Sequence, residues 1–392
     1  MQNCTYYAPT EVVFGKNTES QTGALIRKWG GSRVLIHYGG SSAKKSGLLD
    51  RITASLAEEN IPFVLLGGVV PNPRLSKVRE GIELGRREQI DFILAVGGGS
   101  VIDSAKAIGY GLSNEGDVWD FYTKKRTPSA CLPLGAVLTI AAAGSEMSDS
   151  SVITNEEGWL KRGCSSNFCR CRFAVMNPEL TCTLPPYQTA SGCTDILMHT
   201  MERYFTNDKR MDLTDELAEG LLRSVVRNAR ILKEEPLNYE ARASIMWAGS
   251  LSHNDLTHFG SGRGDWACHQ LEHELGGMFD VAHGAGLAAV WGSWARFVFS
   301  SNPARFARYA RRVWDIREEN DQKAALAGIL ATENFFREIE MPTSLAKLGL
   351  SPTEEQLDTL AFKCSHENTR TIGDIKKLGL SEIREIYRLS LT

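Results

Sequence analysis

Over residues 266–284 the sequence reads WACHQLEHELGGMFDVAHG, and three of the chain's eight histidines fall inside it. Imidazoles at this density point to metal coordination or proton transfer. In a helix, His269 and His273 would project from one face four residues apart, with Gly276 and Gly277 loosening the backbone ahead of His283. Asp195 and His199, in SGCTDILMHT, repeat the four-residue spacing and put a carboxylate and an imidazole on a shared face. These nitrogen and oxygen donors suit a divalent first-row metal. On spacing alone, His269 and His273 form the favoured ligand pair. Each histidine could instead be a hydrogen-bonded structural residue, and His253 and His258 are read that way. A local likeness to the HExxH of zinc proteases fails, because Gly277 stands where the second histidine would be.

Such side chains need elements to hold them. Apolar runs at 33–40, 63–66 and 92–96 read as strands, alternating with helical periodicity over 43–59 and from the Pro71-Asn72-Pro73 turn to about residue 87. Strands alternating with helices imply a doubly wound parallel sheet. The segment VVFG is expected to pair at a sheet edge, and runs at 132–139, 151–154 and 173–176 are expected to extend the sheet. Beyond Leu184-Pro185-Pro186 helical periodicity takes over, so the expected division is an α/β domain over 1–182 and a helical domain over 183–392.

Glycine turns close two of these strands. The run Gly97-Gly98-Gly99-Ser100 links the strand at 92–96 to a helix, so backbone N–H groups and a helix N-terminus can meet an anion such as a cofactor phosphate. Gly39, Gly40, Ser41 and Ser42 offer a second cradle after the first strand, although neither turn spells GxGxxG. No acidic residue follows that strand to grip a ribose 2′-hydroxyl. Ser41, Ser42, Lys44 and Lys45 could receive a 2′-phosphate instead, which favours NADP over NAD; the two lysines could equally be a solvated helix face.

The composition narrows the field further. A net charge of -3 with no basic stripe argues against nucleic acid or an anionic membrane as partner. The opening MQNCTYYAPTEVVFG lacks the basic and apolar regions of a secretion signal, and the most apolar later run is broken by Arg296, so a soluble cytoplasmic protein is expected. Nine scattered cysteines are read as reduced thiols, including Cys164, Cys169 and Cys171.

GGGSVIDSAKAI at 97–108, VLTIAAAGSE at 137–146, the Asp195 and His199 pair and the HQLEH and AHG segments together resemble the iron-containing alcohol dehydrogenase family, in its butanol-dehydrogenase-like branch, over essentially the whole chain. The resemblance implies an N-terminal α/β dinucleotide-binding domain with a parallel sheet and an all-α C-terminal domain, a dehydroquinate synthase-like architecture with the active site in the cleft between them. It places Asp195, His199, His269 and His283 on the metal ligands, for Fe2+ or Zn2+, and His273 beside the nicotinamide. Asn72 matches the family's PNP turn, Gly98, Gly99, Ser100 and Asp103 its pyrophosphate loop, and Thr139 and Ser145 its second loop; Lys161 falls near its nicotinamide-side lysine. The family's threonine ahead of GSE is Ala143 here, so a hydroxyl contact to the cofactor is expected to be lost. The glycine and serine after the first strand are similar to members that prefer NADP.

The implied reaction interconverts primary alcohols and aldehydes by hydride transfer to a metal-polarised carbonyl, with His273 moving a proton. The implied assembly is a homodimer. A polyol or glycerol-type dehydrogenase, a dehydroquinate-synthase-like lyase and a non-catalytic metal-binding relative are the alternatives. The lyase should carry a denser set of lysines and arginines than residues 195–283 offer.

Overall fold

The apolar runs after the opening residues pair as parallel strands. In the computed structural model, which describes residues 3–208, 210–262 and 264–392, the strands are β1 (Glu11–Phe14), β2 (Val34–Tyr38), β3 (Phe63–Leu66), β4 (Phe92–Gly97), β5 (Leu134–Leu138), β6 (Ser150–Asn155), β7 (Leu160–Ser165) and β8 (Phe173–Met176). Six form one sheet in the order β1-β8-β5-β4-β2-β3, with every pairing parallel. Helices α1 (Thr22–Lys28), α2 (Ser42–Lys45), α3 (Leu48–Glu58), α4 (Leu75–Arg87), α5 (Gly99–Ser113) and α6 (Trp119–Tyr122) accompany them. Strands covered on both faces read as unbroken apolar runs, and β4 is buried at all of its positions. Ile36, Leu94, Val96, Val137 and Val175 from the sheet pack with Ile26, Ile52 and Leu56 from the helices. Each such side chain, fully buried, contributes about 2 kcal/mol relative to exposure.

Two local expectations are corrected. The helix expected over 43–59 is broken at Ser46-Gly47, where Gly47 has φ 69°, and α2 and α3 are separate. The run at 151–154 does not extend the sheet. Its strand, β6, pairs antiparallel with β7, and the two form a sheet of their own. The β6–β7 hairpin is fastened instead to α5, where the Asp103 carboxylate accepts from Val152 N at 2.9 Å and the Asp103 carbonyl from Ser151 Oγ at 2.8 Å.

This α/β unit spans Tyr7–Leu184; the second unit is Pro185–Thr392 together with the start of the chain up to Tyr6. Its helices are α7 (Pro186–Tyr204), α8 (Asp212–Glu234), α9 (Tyr239–His253), α10 (Ala267–Phe279), α11 (His283–Val298), α12 (Pro303–Trp314), α13 (Asp321–Glu338), α14 (Glu354–Cys364) and α15 (Leu380–Leu389). Proline is excluded from helix interiors but suits the first turn, so Pro185-Pro186 marks the start of α7. Buried Asp215 and Glu219 of α8 take Arg305 and Arg308 of α12 at 2.6 and 2.7 Å, which fixes the two helices side by side. Gly276 and Gly277 do not loosen the backbone: α10 runs through both to Phe279 and stops at Asp280, φ 53°, whose N–H bonds the Gly276 carbonyl. Among the described residues, no helix is long and apolar enough to cross a membrane.

Candidate functional site

The 3.6-residue period of α7 puts Asp195, His199 and Glu202 on one face, and all three are buried. Facing them, α10 supplies His269 and α11 supplies His283 as its first residue. The start of α11 approaches α7 so closely that a Cβ on Gly284 would lie 2.0 Å from the Ser191 carbonyl oxygen. Only glycine allows this contact, and with it the position of His283.

Three imidazoles converge on one carboxylate oxygen. Asp195 Oδ1 is 3.0 Å from His199 Nδ1, 3.7 Å from His269 Nε2 and 3.6 Å from His283 Nε2. The ligand-capable atoms of Asp195, His199 and His269 all lie within 4.8 Å of one another. Asp195 Oδ1 and His269 Nε2 are buried and, among the described residues, make no hydrogen bond. Leaving such atoms unsatisfied costs about 1–3 kcal/mol each. A divalent cation would satisfy both, and the oxygen and nitrogen donor set is one that iron and zinc accept.

Outer carboxylates orient the rings. His269 Nδ1 lies 2.7 Å from Glu202 Oε2, while Glu202 Oε1 accepts the backbone N–H of Cys268 at 2.6 Å and of His269 at 3.2 Å. Glu202 therefore caps the first turn of α10 and holds the His269 ring at once. Glu272 Oε2 takes His283 Nδ1 in the same way. With Nδ1 so engaged, each ring turns Nε2 toward Asp195. His199 Nδ1 sits 3.0 Å from the Asp195 carbonyl oxygen.

The charges follow the burial. Burial pushes the Asp195 carboxyl up, but His199 and His283 outweigh it and hold the group well below the usual carboxylate range. Burial brings His199 down to about 4. His269 is also buried, yet Glu202, with Asp195, drives it up to about 9.

The structure gathers His283, not His273, with His269. His273 is half-buried one turn along α10, its ring centroid 6.0 Å from that of His283, so the pair favoured by spacing alone is not the pair that converges. Spacing along one helix was blind to the turn at Asp280 that brings α11 back. His253, read as structural, stands against the cluster, its ring centroid 4.2 Å from that of His199. Trp266 lies 5.2 Å from His269 and beneath the Arg203 guanidinium, 4.6 Å away. Asp265 is buried and accepts the backbone N–H groups of Ala267, Asp374 and Ile375. Burial and the Glu202 charge nevertheless raise its carboxyl to about 7.

In the α/β unit the glycine turns fall together. Register aligns Tyr38 with Val96 and Gly97 with Leu138, so Gly39-Gly40, Gly97–Gly99 and Thr139 leave the carboxyl edge side by side. Strand order reverses between β2 and β4, the place where open parallel sheets bind ligands. Gly40, Ser41, Ser42, Lys44 and Lys45 are exposed, and Ser100 lies in the first turn of α5. Asn72 is buried in the Pro71-Asn72-Pro73 turn with φ 53°. Thr154 bonds the Pro73 carbonyl at 2.8 Å and pairs with Lys161 across the hairpin, which brings Lys161 to the same corner. Asp103 and Ser145, both expected at the cofactor, bond each other, Ser145 Oγ donating to Asp103 Oδ1. Among the described residues no disulfide forms, and Cys164, Cys169 and Cys171 form no metal cluster.

Glu202 and Glu272 escaped the sequence reading. Glu202 was within reach of it, lying seven residues after Asp195 and hence on the same helical face.

Comparison with known proteins gives the chain relatives over its whole length. Residues 9–178 match the family model described as iron-containing alcohol dehydrogenase, and residues 189–391 match the C-terminal model of the Fe-containing alcohol dehydrogenase family. The chain is 38% identical to NADH-dependent butanol dehydrogenase A of Clostridium acetobutylicum over the full length of both. It is 34% identical to the NADPH-dependent aldehyde reductase YqhD of Escherichia coli over 99% of each. Among solved structures, NADH-dependent butanol dehydrogenase A from Thermotoga maritima superposes with a TM-score of 0.97 at 37% identity, covering 100% of this chain and 99% of that one.

Proposed function

This chain belongs to the iron-containing alcohol dehydrogenase family, and from that premise we propose that it reduces short aldehydes to primary alcohols, and runs the reverse reaction, using NADPH in preference to NADH. The observation that carries the reading is the convergence of three imidazoles on Asp195 Oδ1, with that oxygen and His269 Nε2 buried and, among the described residues, without hydrogen bonds. Asp195, His199, His269 and His283 would hold one divalent metal, Fe2+ or Zn2+. When bound, the metal supplies a Lewis acid for the substrate oxygen and the nicotinamide supplies the hydride.

The protein's own residues do the rest. Glu202 and Glu272 keep protons on the Nδ1 atoms of His269 and His283, so that each Nε2 is offered as a donor. His273, half-buried one turn from His269, passes the proton between the site and solvent. If so, His273→Ala lowers turnover and alters the pH profile; unchanged turnover and profile would remove it from the mechanism. In the α/β unit, Gly98, Gly99 and Ser100 bind the cofactor diphosphate, and Asn72, Asp103, Thr139, Ser145 and Lys161 line its path. The relatives' names divide between NADH and NADPH, so the nucleotide preference rests on Gly39, Gly40, Ser41 and Ser42, where no carboxylate stands against a 2′-phosphate and Lys44 and Lys45 follow. The edge strand β1 supports a homodimer, whose mass sedimentation would read.

The test is oxidation of NADPH and NADH with butanal by protein stripped of metal and reloaded separately with Fe2+ and Zn2+. Metal-dependent oxidation with lower KM for NADPH is expected. If neither nucleotide is consumed with either metal, the aldehyde-reductase reading fails.

A further inference from the structure

Lys106 is a fully buried lysine on α5 and, among the described residues, its ammonium has no carboxylate partner. Its ammonium is held by four neutral oxygens from one short segment: the carbonyls of Ser145 at 2.7 Å, Ser148 at 2.9 Å and Ser150 at 2.7 Å, and Ser148 Oγ at 3.2 Å. A lysine has three protons to donate, and a buried one is tolerated only when those protons are satisfied. Here it is satisfied entirely by the backbone and a hydroxyl of residues 145–150.

One turn earlier on the same helix, Asp103 holds the same segment at Ser145 and its continuation at Ser151 and Val152. Its carboxylate accepts from Ser145 Oγ and from Val152 N, and its carbonyl accepts from Ser151 Oγ. The two side chains carry opposite charge and take opposite backbone partners, Lys106 the carbonyls and Asp103 an N–H. Of the carbonyls that Lys106 takes, that of Ser150 has a second, longer donor in Ser148 Oγ at 3.4 Å. Ser145, Glu146 and Ser148 are themselves buried, and the Met147 carbonyl is occupied by Arg170 at 2.7 Å.

The helix that makes these contacts is the one that begins at Gly99, and a Cβ on Gly99 would meet Ala143 Cβ at 3.0 Å. The loop following β5 is thus pressed against the first turn of α5 at one end and tied to the middle of α5 at the other. We infer that Lys106 is a positioning residue for nucleotide binding: it fixes the 145–150 segment to α5, so that the Gly97–Gly99 turn and Ser145 are presented together before the nucleotide arrives. This rests on the reading of the α/β unit as the nucleotide-binding unit. Lys106 touches neither nucleotide nor substrate in this account, so its effect falls on nucleotide affinity and not on the chemical step.

The experiment compares full-length wild-type protein and Lys106→Met, with NADPH and NADH as titrants followed by nucleotide fluorescence, then by steady-state kinetics with butanal. Lys106→Met should raise the nucleotide Kd and KM at least tenfold, leave the KM for butanal unchanged, hold kcat at saturating nucleotide within about threefold, and leave metal content as in wild type. A nucleotide Kd within twofold of wild type overturns the inference while leaving the nucleotide-binding reading in place. A wild-type protein that binds neither nucleotide overturns both. Hydrogen exchange on the wild-type protein gives a check that does not depend on the variant folding. Amides at 145–150 should exchange as slowly as those of α5 before any nucleotide is added; rapid exchange there, slowed only by nucleotide, contradicts a preset loop.

Discussion

In the helical unit Asp195, His199 and His269 are no more than 4% exposed, and the carboxylate that orients His269, Glu202, is 1% exposed. In the α/β unit, the turn after β2 leaves Gly40, Ser41 and Ser42 exposed, and its glycines have only backbone to offer. One site is assembled from side chains that burial has stripped of water. The proposed nucleotide site is instead main chain at the ends of strands whose register is set by the core beneath. A side-chain site concentrates its function in a few atoms and fails when one is removed. A backbone site is insensitive to most side chains at its surface and depends on those that hold its loops, the part proposed above for Lys106.

The contrast is sharpest at Asp195. Asp195→Ala removes the oxygen on which three imidazoles converge, and metal affinity should fall at least about 100-fold, with aldehyde reduction lost and nucleotide binding kept. Metal content after dialysis and nucleotide titration of the same sample read both halves. If nucleotide affinity falls with metal content, the sites are not separable and the comparison breaks.

The α/β unit carries an acid-sensitive histidine of its own. Burial brings His37, bonded to the Leu66 carbonyl and Ser104 in β2, from 6.5 down to about 4. A folded-state value below the unfolded one means that the unfolded chain binds the proton more readily. The contribution is therefore intact above pH 6.5 and is lost as pH falls toward 4, by up to about 3 kcal/mol. Denaturant midpoints of the α/β unit measured from pH 7 to 4 should drop over that window, and His37→Gln should flatten the drop. An equal slope in the variant would assign the acid sensitivity elsewhere.

Glu202→Gln keeps the size of the side chain and removes its charge. Metal affinity should weaken by about 10- to 100-fold, because the partner that fixes the His269 ring loses its charge. A fully retained affinity would show that the charge of Glu202 is not needed to hold the ring. The smallest effect belongs to the exposed turn: Lys44→Glu with Lys45→Glu should shift the NADPH-to-NADH preference about tenfold toward NADH without touching metal content. An unchanged ratio would make those lysines a solvated face.

The same contrast governs what the sequence discloses. Strand, glycine turn and helix at 92–108 were legible, because an apolar run ending in Gly97-Gly98-Gly99 has few other ways to fold. The strand Leu160–Ser165 was not, since LKRGCS carries charge on its face, and its partner run at 151–154 was wrongly joined to the main sheet. Asp195 and His199 show their shared face in their spacing. His283 does not: its place beside them depends on Asp280 and on the glycine at 284, and only the family resemblance put it ahead of His273. Lys106 was invisible for a different reason. Its partners are carbonyl oxygens about forty residues away, and a carbonyl has no signature in a sequence.

The central claim is the identity of the ligands, and an anomalous-difference map from a crystal of metal-loaded protein tests it most directly. The account predicts one peak in the helical unit, about 2.0–2.2 Å from a carboxylate oxygen of Asp195 and from one ring nitrogen each of His199, His269 and His283. A peak bound by His273 in place of His283, or one seated among the cysteines of the α/β unit, would contradict it.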